Sequence, residues 1–258
     1  MKKKVGNSLK SVEKALRIIE SFDLDRPEIS VAEFVEKLSM PKVSVYRFLR
    51  VLSKNGFINQ NKQTKNYRLG LKIFELGSIV LKNFDFREVA FPLITELSKR
   101  SGETVHLGVL DAQQVVSIES VESNQALRIS MPVGKRVYLH STGVGKAILA
   151  FLDYEEIKEI VQQKGLPRFT RNTTTDFDEL MEEVQTIRNR GYAIDNEENE
   201  PGVRCVAAPV LDPHQRFIAS VSVSGPSVRV SRKRIPELSF MVIETSKKIT
   251  EALKLTTK

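Results

Sequence analysis

The sequence predicts an α+β protein in parts: a small helical unit closed by a β-hairpin over residues 1–70, a linker helix over 71–84, and a larger mixed domain over 85–258. Three observations carry this reading. Positive charge is gathered at one end: residues 1–70 hold fifteen Lys and Arg against seven Asp and Glu, whereas the remainder balances at twenty-five of each. Apolar residues in that front part recur at three- and four-residue spacing in successive segments, the mark of amphipathic helices. Beyond Glu88 the pattern changes to short β-branched runs between helical stretches, which suggests one antiparallel or mixed sheet with helices packed on it.

Taken in order, Leu9, Val12, Leu16, Ile19 and Phe22 form one stripe and predict a first helix from Ser8 to Phe22, broken by the segment 23–28 with its Pro27. Ser30 and Glu33 make a capping box, each side chain answering the other's backbone amide, so a second helix runs over Val31–Leu38. The turn Ser39-Met40-Pro41 follows, with Pro41 suited to a first helical position because that amide has no partner inside the helix. The third helix, Lys42–Lys54, turns Val45, Phe48, Leu49 and Leu52 inward, and Gly56 ends it in a left-handed conformation. Phe57–Gln60 and Asn66–Leu69 flank the polar loop Asn61–Lys65 as a β-hairpin.

Helices joined by a proline turn, then a basic third helix and a basic hairpin, describe a winged helix-turn-helix. Between Glu36 and Glu75 there is no acidic residue, while nine Lys and Arg fall there. That is the footprint of a phosphate-binding module, although charge alone is also met by an ordinary solvated face. The major groove of double-stranded DNA, about 12 Å wide, admits one helix. Arg47 and Tyr46 are the expected base contacts, Lys42, Ser44 and Arg50 the backbone anchors, and Lys62 and Lys65 the wing residues that reach a minor groove or phosphate. Leu71, Phe74, Ile79 and Leu81 make the linker helix apolar, so it either packs on its own domain or joins two subunits. A dimer would set two third helices about one DNA turn apart and match a pseudo-palindromic operator.

In the larger domain the sequence predicts a helix over Pro92–Arg100, strands over Thr104–Leu110 and Gln114–Ile118, and a strand-like run over Leu127–Val133. Helices over Gly143–Leu152 and Tyr154–Gln163 follow, then one capped by Asp176 and ended by Gly191. Cys205–Leu211 and Phe217–Ser224 form a hairpin around Asp212–Gln215, before a last helix over Pro236–Leu253. One cysteine, Cys205, allows no internal disulfide, and His106, His140 and His214 show no metal-ligand spacing. No metal and no cofactor are expected. With no run of about 18 apolar residues and no apolar signal core, the expectation is a soluble cytoplasmic protein with no membrane partner. Gly143-Val144-Gly145-Lys146 has the look of a phosphate loop, but that pattern needs glycine where His140 stands and Ser or Thr where Ala147 stands. Cys205 or Asp195 with a histidine would be the enzyme reading. No nucleophile-base pair is visible, and none is expected to be catalytic.

Several motifs together resemble the IclR family of transcription regulators across nearly the whole length: Ser11-Val12-Glu13-Lys14-Ala15-Leu16, Lys42-Val43-Ser44-Val45-Tyr46-Arg47, Tyr67-Arg68-Leu69-Gly70, Leu139 to Ala147, Gly191 to Asp195, and Gly202 to Pro209. The resemblance implies a winged helix-turn-helix, a linker helix and a GAF-like effector domain, assembled as a homodimer or dimer of dimers. It implies a ligand-responsive regulator, expected to repress a catabolic operon and to answer a small organic or sugar acid. Its effector pocket falls on Ala126, Ile129, Val137, Gly143, Val144, Asp195, Val203, Cys205, Ser222 and Ser224. The residues agree: Ser222 and Ser224, two apart in a strand, share a face, helix-start amides around Gly143 suit a carboxylate, and Asp195 accepts from a hydroxyl. Read singly, Cys205 is an ordinary core residue and Asp195 part of an acidic loop.

Overall fold

The computed structural model describes residues 10–23, 26–82, 84, 86–212 and 214–256. Ser8 and Leu9 of the expected first helix, Leu24 and Asp25 in the break after it, Asn83 of the linker helix and Pro213 of the last hairpin turn lie outside the described residues. The chain divides into two compact units, residues 1–84 and 85–258.

In the first unit α1 (Lys10–Ile19), α2 (Val31–Leu38) and α3 (Lys42–Lys54) enclose one apolar cluster. The capping box of α2 is complete: the Ser30 amide donates to Glu33 Oε2 at 2.8 Å and the Glu33 amide to Ser30 Oγ at 3.3 Å. Pro41 stands at the N-cap of α3 and not at its first helical position; its carbonyl accepts the Val45 amide at 3.1 Å. Val45, Leu49 and Leu52 are buried with Ile18, Phe34 and Ile58. The expected stripe of α1 is corrected, because its fully buried residue is Ile18 while Val12 and Leu16 are 52% and 50% exposed. Of that stripe Ile19 and, beyond the end of the helix, Phe22 do pack against the cluster, so packing turns Ile18 inward and leaves Val12 and Leu16 outside.

Strands β1 (Ile58–Gln60) and β2 (Tyr67–Leu69) pair antiparallel with Ile58 opposite Leu69. Gly56, at φ 77, makes the turn that ends α3, and Gly70 passes so close that a Cβ there would overlap the Gly56 carbonyl. Ile29 adds a third rung, exchanging two 2.8 Å hydrogen bonds with Tyr67 and so tying the segment before α2 to the hairpin. Helix α4 (Leu71–Lys82) follows and buries none of its residues.

In the second unit α5 (Phe86–Ser101) starts six residues before the expected Pro92. That proline lies within the helix on an exposed side, where one lost backbone hydrogen bond is answered by solvent. Strands β3 (Thr104–Asp111) and β4 (Gln114–Val121) are joined by Ala112 and Gln113, both at positive φ (46 and 64), the backbone of a tight hairpin. Leu127–Val133 forms no strand. The segment is irregular, and pairing resumes at β5 (Arg136–Val137). Then come α6 (Gly143–Leu149), three residues shorter than expected, α7 (Tyr154–Lys164), α8 (Phe177–Arg190), β6 (Ala193–Asn196), β7 (Val203–Leu211), β8 (Phe217–Pro226) and α9 (Ile235–Thr256). Strand β6 was not expected at all.

The six strands run β5-β4-β3-β8-β7-β6, antiparallel at every pairing. Alternation sends Val105, Leu107, Val206, Val221 and Val223 to one face, and α5 and α9 pack on these strands. The opposite face meets α6, whose backbone approaches closely. A Cβ on Gly143 would come 2.8 Å from Cys205 Sγ, and one on Gly145 would overlap the Leu139 backbone. Gly145→Ala is therefore expected to destabilise the second unit by about 1–3 kcal/mol in denaturant unfolding of the full chain. Gly77→Ala in α4, where nothing lies within 4 Å of the added carbon, should cost nothing; equal effects would contradict the close approach.

Candidate functional site

On the first unit, the face of α3 turned away from its core carries Val43, Tyr46, Arg47 and Arg50, spaced by three and four residues and all exposed. Lys42 is exposed beside this row, and Ser44 is half-buried at its edge. The expected base and backbone contacts thus share one surface. Val43, left out by the sequence reading, lies at its centre and is 73% exposed.

Lys62 and Lys65 are exposed on the hairpin loop, with Lys65 at φ 60. The loop is held from behind. Glu28 accepts from Asn61 Nδ2 at 2.9 Å and from Thr64 Oγ1 at 3.0 Å, and Asn61 Oδ1 takes the Gln63 amide at 2.9 Å. These two bonds hold the Glu28 carboxyl below its ordinary range.

On the second unit, register brings polar side chains into rows beneath α6. Asp195 lies opposite Cys205, Cys205 opposite Ser224 and Ser224 opposite Thr104; in the next row Ala207 faces Ser222, and Ser222 faces His106. Val203 shares the Cys205 side of β7 by alternation. Val144 is buried with Val115 and Val137 in the apolar cluster around α6. Ala126 and Ile129 ride on the irregular segment after β4, Ala126 exposed and Ile129 half-buried. That segment is fastened to the sheet: the Ser123 amide donates to Thr104 Oγ1 at 3.1 Å, and Arg229, paired with buried Glu103 at 2.6 Å, donates to the Leu127 carbonyl at 2.7 Å.

The electrostatics of this face follow from its burial. Asp195 Oδ1 accepts the Glu198 amide at 2.7 Å, yet burial pushes its carboxyl up to about 7. Burial, reinforced by Asp195, pushes the Cys205 thiol up to about 11, so it stays protonated. His106 is pushed down to about 4 by burial and stays a neutral ring, its Nδ1 3.1 Å from Ser120 Oγ. Ser222 Oγ is buried with no nitrogen or oxygen partner, only the weakly accepting Cys205 thiol beside it. Lys146 of α6 is fully buried and donates to Glu198 at 2.7 Å and to Glu183 at 2.8 Å.

His106, Glu198 and Lys146 were missed as members of this neighbourhood. Alternation of Thr104, His106 and Gly108 along β3 was a usable signal; the ion pairs span distances no periodicity reveals. The expectation of free amides at the start of α6 is narrowed, because Thr142 Oγ1 takes the Gly145 amide at 3.2 Å and its carbonyl the Lys146 amide at 2.9 Å. Among the described residues, no helix is long and apolar enough to cross a membrane.

Comparison with known proteins identifies both units. A model described as the IclR helix-turn-helix domain matches residues 11–62, and one described as the bacterial transcriptional regulator IclR C-terminal matches residues 78–251. The HTH-type transcriptional regulator KdgR of Escherichia coli is 37% identical over 246 residues, 95% of this chain and 93% of that protein. The transcriptional repressor IclR of Escherichia coli is 30% identical over 246 residues, 95% of this chain and 90% of that protein. The crystal structure of the Thermotoga maritima IclR superposes with a TM-score of 0.77 at 36% identity, covering 95% of this chain and 99% of that one. The two models together span both units, and the chain belongs to the IclR family of ligand-responsive, DNA-binding transcription regulators, which are not enzymes.

Proposed function

We propose that the protein acts in the cytoplasm as a repressor of a catabolic operon, released from double-stranded DNA by a small hydroxy or keto acid. Residues 1–70 are the DNA-binding domain and 85–258 the effector domain. Helix α3 lies in the major groove, Arg47 and Tyr46 toward bases and Lys42, Ser44 and Arg50 toward phosphates, with Lys62 and Lys65 of the wing beside them. Helix α4, whose Leu71, Phe74 and Ile79 are 81%, 74% and 57% exposed, links two copies as a homodimer or dimer of dimers. This pairing suits a pseudo-palindromic operator.

The observation that carries the effector half is Ser222 Oγ, buried in a polar row with no partner but the Cys205 thiol. Such a hydroxyl costs about 1–3 kcal/mol unless something accepts from it. A carboxylate does so, and Ser224, Asp195, Cys205 and Val203 form the rest of the floor below Gly143 and Val144, with Val137, Ile129 and Ala126 toward the rim. A buried aspartate would repel an anionic ligand, but a carboxyl raised to about 7 meets it as a neutral donor.

Three measurements test this reading. Arg47→Ala is expected to weaken operator binding about tenfold or more and binding to random duplex much less; equal losses would restrict Arg47 to phosphate. Lys62→Ala with Lys65→Ala should reduce the slope of log affinity against log salt by about two, and an unchanged slope removes the wing from the interface. In a thermal-shift screen of sugar acids and other small carboxylates, the active compound should bind more tightly as pH falls from about 8 to about 6, because Asp195 takes up a proton. Ser222→Ala should diminish the shift and leave DNA affinity intact, whereas Asp195→Asn, a permanently neutral donor, should keep the shift and remove its pH dependence. A shift undiminished in Ser222→Ala would put the ligand elsewhere, and no shift with any carboxylate would leave the domain to assembly alone.

A further inference from the structure

We infer that Val43 is a specificity-determining residue that reads the C5 methyl of a thymine in the major groove. The inference rests on α3 being the groove helix and goes beyond the polar contacts assigned to it. Val43 is 73% exposed on the first turn of α3. Its neighbours at three, four and seven residues are Tyr46, Arg47 and Arg50, so it stands at the middle of the exposed face. The buried face is complete without it, since Val45, Leu49 and Leu52 already fill the core side. A β-branched residue is also a poor helix former, so the position gains nothing from local propensity.

The surroundings say what covers this valine. Lys42, Arg47 and Arg50 flank it, and none of the described residues of α3 is acidic. An apolar protein partner would have to bury those cations, whereas a duplex answers them with phosphates while presenting apolar groups at thymines only. Side chains from the N-terminal half of a groove helix are those that reach base edges. Val43 has two methyl groups there and no donor or acceptor, and the thymine methyl is the one apolar feature among the major-groove edges.

The test uses the full chain. Duplexes are enriched from a randomised pool, and each thymine of the enriched duplex is replaced in turn by uracil, which removes the methyl and keeps every hydrogen-bonding edge. At one position per half-site the replacement should weaken wild-type binding about fourfold, the equivalent of one buried methyl at ~0.8 kcal/mol. Val43→Ala, which withdraws both branch methyls and leaves only Cβ further from the groove floor, should bind the thymine duplex more weakly than the wild type and lose most of the discrimination. Val43→Thr, which keeps one methyl, should retain part of the discrimination. Circular dichroism confirms that the variants are folded. Uracil sensitivity at no position, or at the same position and size in Val43→Ala, overturns the assignment. A Val43→Ala protein that keeps the discrimination but changes its solution mass would make the valine a protein contact. Failure of any duplex to enrich would instead remove α3 from the groove, and this inference with it.

Discussion

A buried ammonium has to be answered by buried carboxylates, and in this chain the Lys146 side chain sets that condition for the whole second unit. Taking a lysine out of water costs several kcal/mol, and removing one partner of such a pair costs about 3–5 kcal/mol. Lys146 is fully buried, and its partners Glu198 and Glu183 come from the β6–β7 connection and from α8. One side chain thus fixes three segments. Glu198 in turn offers its amide to Asp195 and accepts the Asn196 amide at 3.0 Å, so the residue at the floor of the candidate site is held by the same pair.

That arrangement is open only to a helix that can come close to the sheet. Gly143 has no Cβ where Cys205 stands, which lets α6 settle on β7 and carry Lys146 inside, and Gly145 leaves room for the Leu139 backbone that leads into the helix. The first unit solves the opposite problem. Its core is filled by Ile18, Phe34, Val45, Leu49 and Ile58, and Ile29 and Gly70 draw the hairpin onto that core. The outer face of α3 is therefore free of any structural task, and its residues need satisfy only the surface that binds there.

Much of this was legible wherever the physics is local. The Ser30 capping box, the Asp176 cap, the inward face of α3 and the alternation of Ser222 and Ser224 all depend on residues within one or two turns. What failed depended on distant packing. Val12 and Leu16 share the spacing of Ile19 and Phe22, yet packing against α2 and α3 buries Ile18 and leaves those two exposed. Leu127–Val133 has strand-like spacing, but Leu127 is 64% exposed and held by Arg229 in an irregular path. Pro92 suggested a helix start because its missing amide is harmless there, yet an exposed interior position tolerates it as well. Strand β6 hid among acidic residues because its edge position at the end of the sheet asks for few apolar side chains. Within the candidate site the single-strand pattern was readable, whereas His106 and Lys146 join it only through register and tertiary pairing.

On the proposed reading the same pair that builds the site also sets the scale of its response. A ligand that engages the neutral Asp195 carboxyl acts on the group that accepts the Glu198 amide, a hydrogen bond worth about 0.5–1.5 kcal/mol between neutral partners. Coupling between an effector and a distant ligand is typically about 1–3 kcal/mol. The two ranges overlap, so a ligand that favours this contact in one arrangement of the β6–β7 connection over another has enough differential energy to shift a two-state equilibrium. Stripping the Lys146 ammonium of a partner would cost more, about 3–5 kcal/mol, so that pair stays closed while the weaker contact changes. A site built from one firm buried pair and one weaker bond leaning on it can change state without unfolding, which is what a receptor domain has to do.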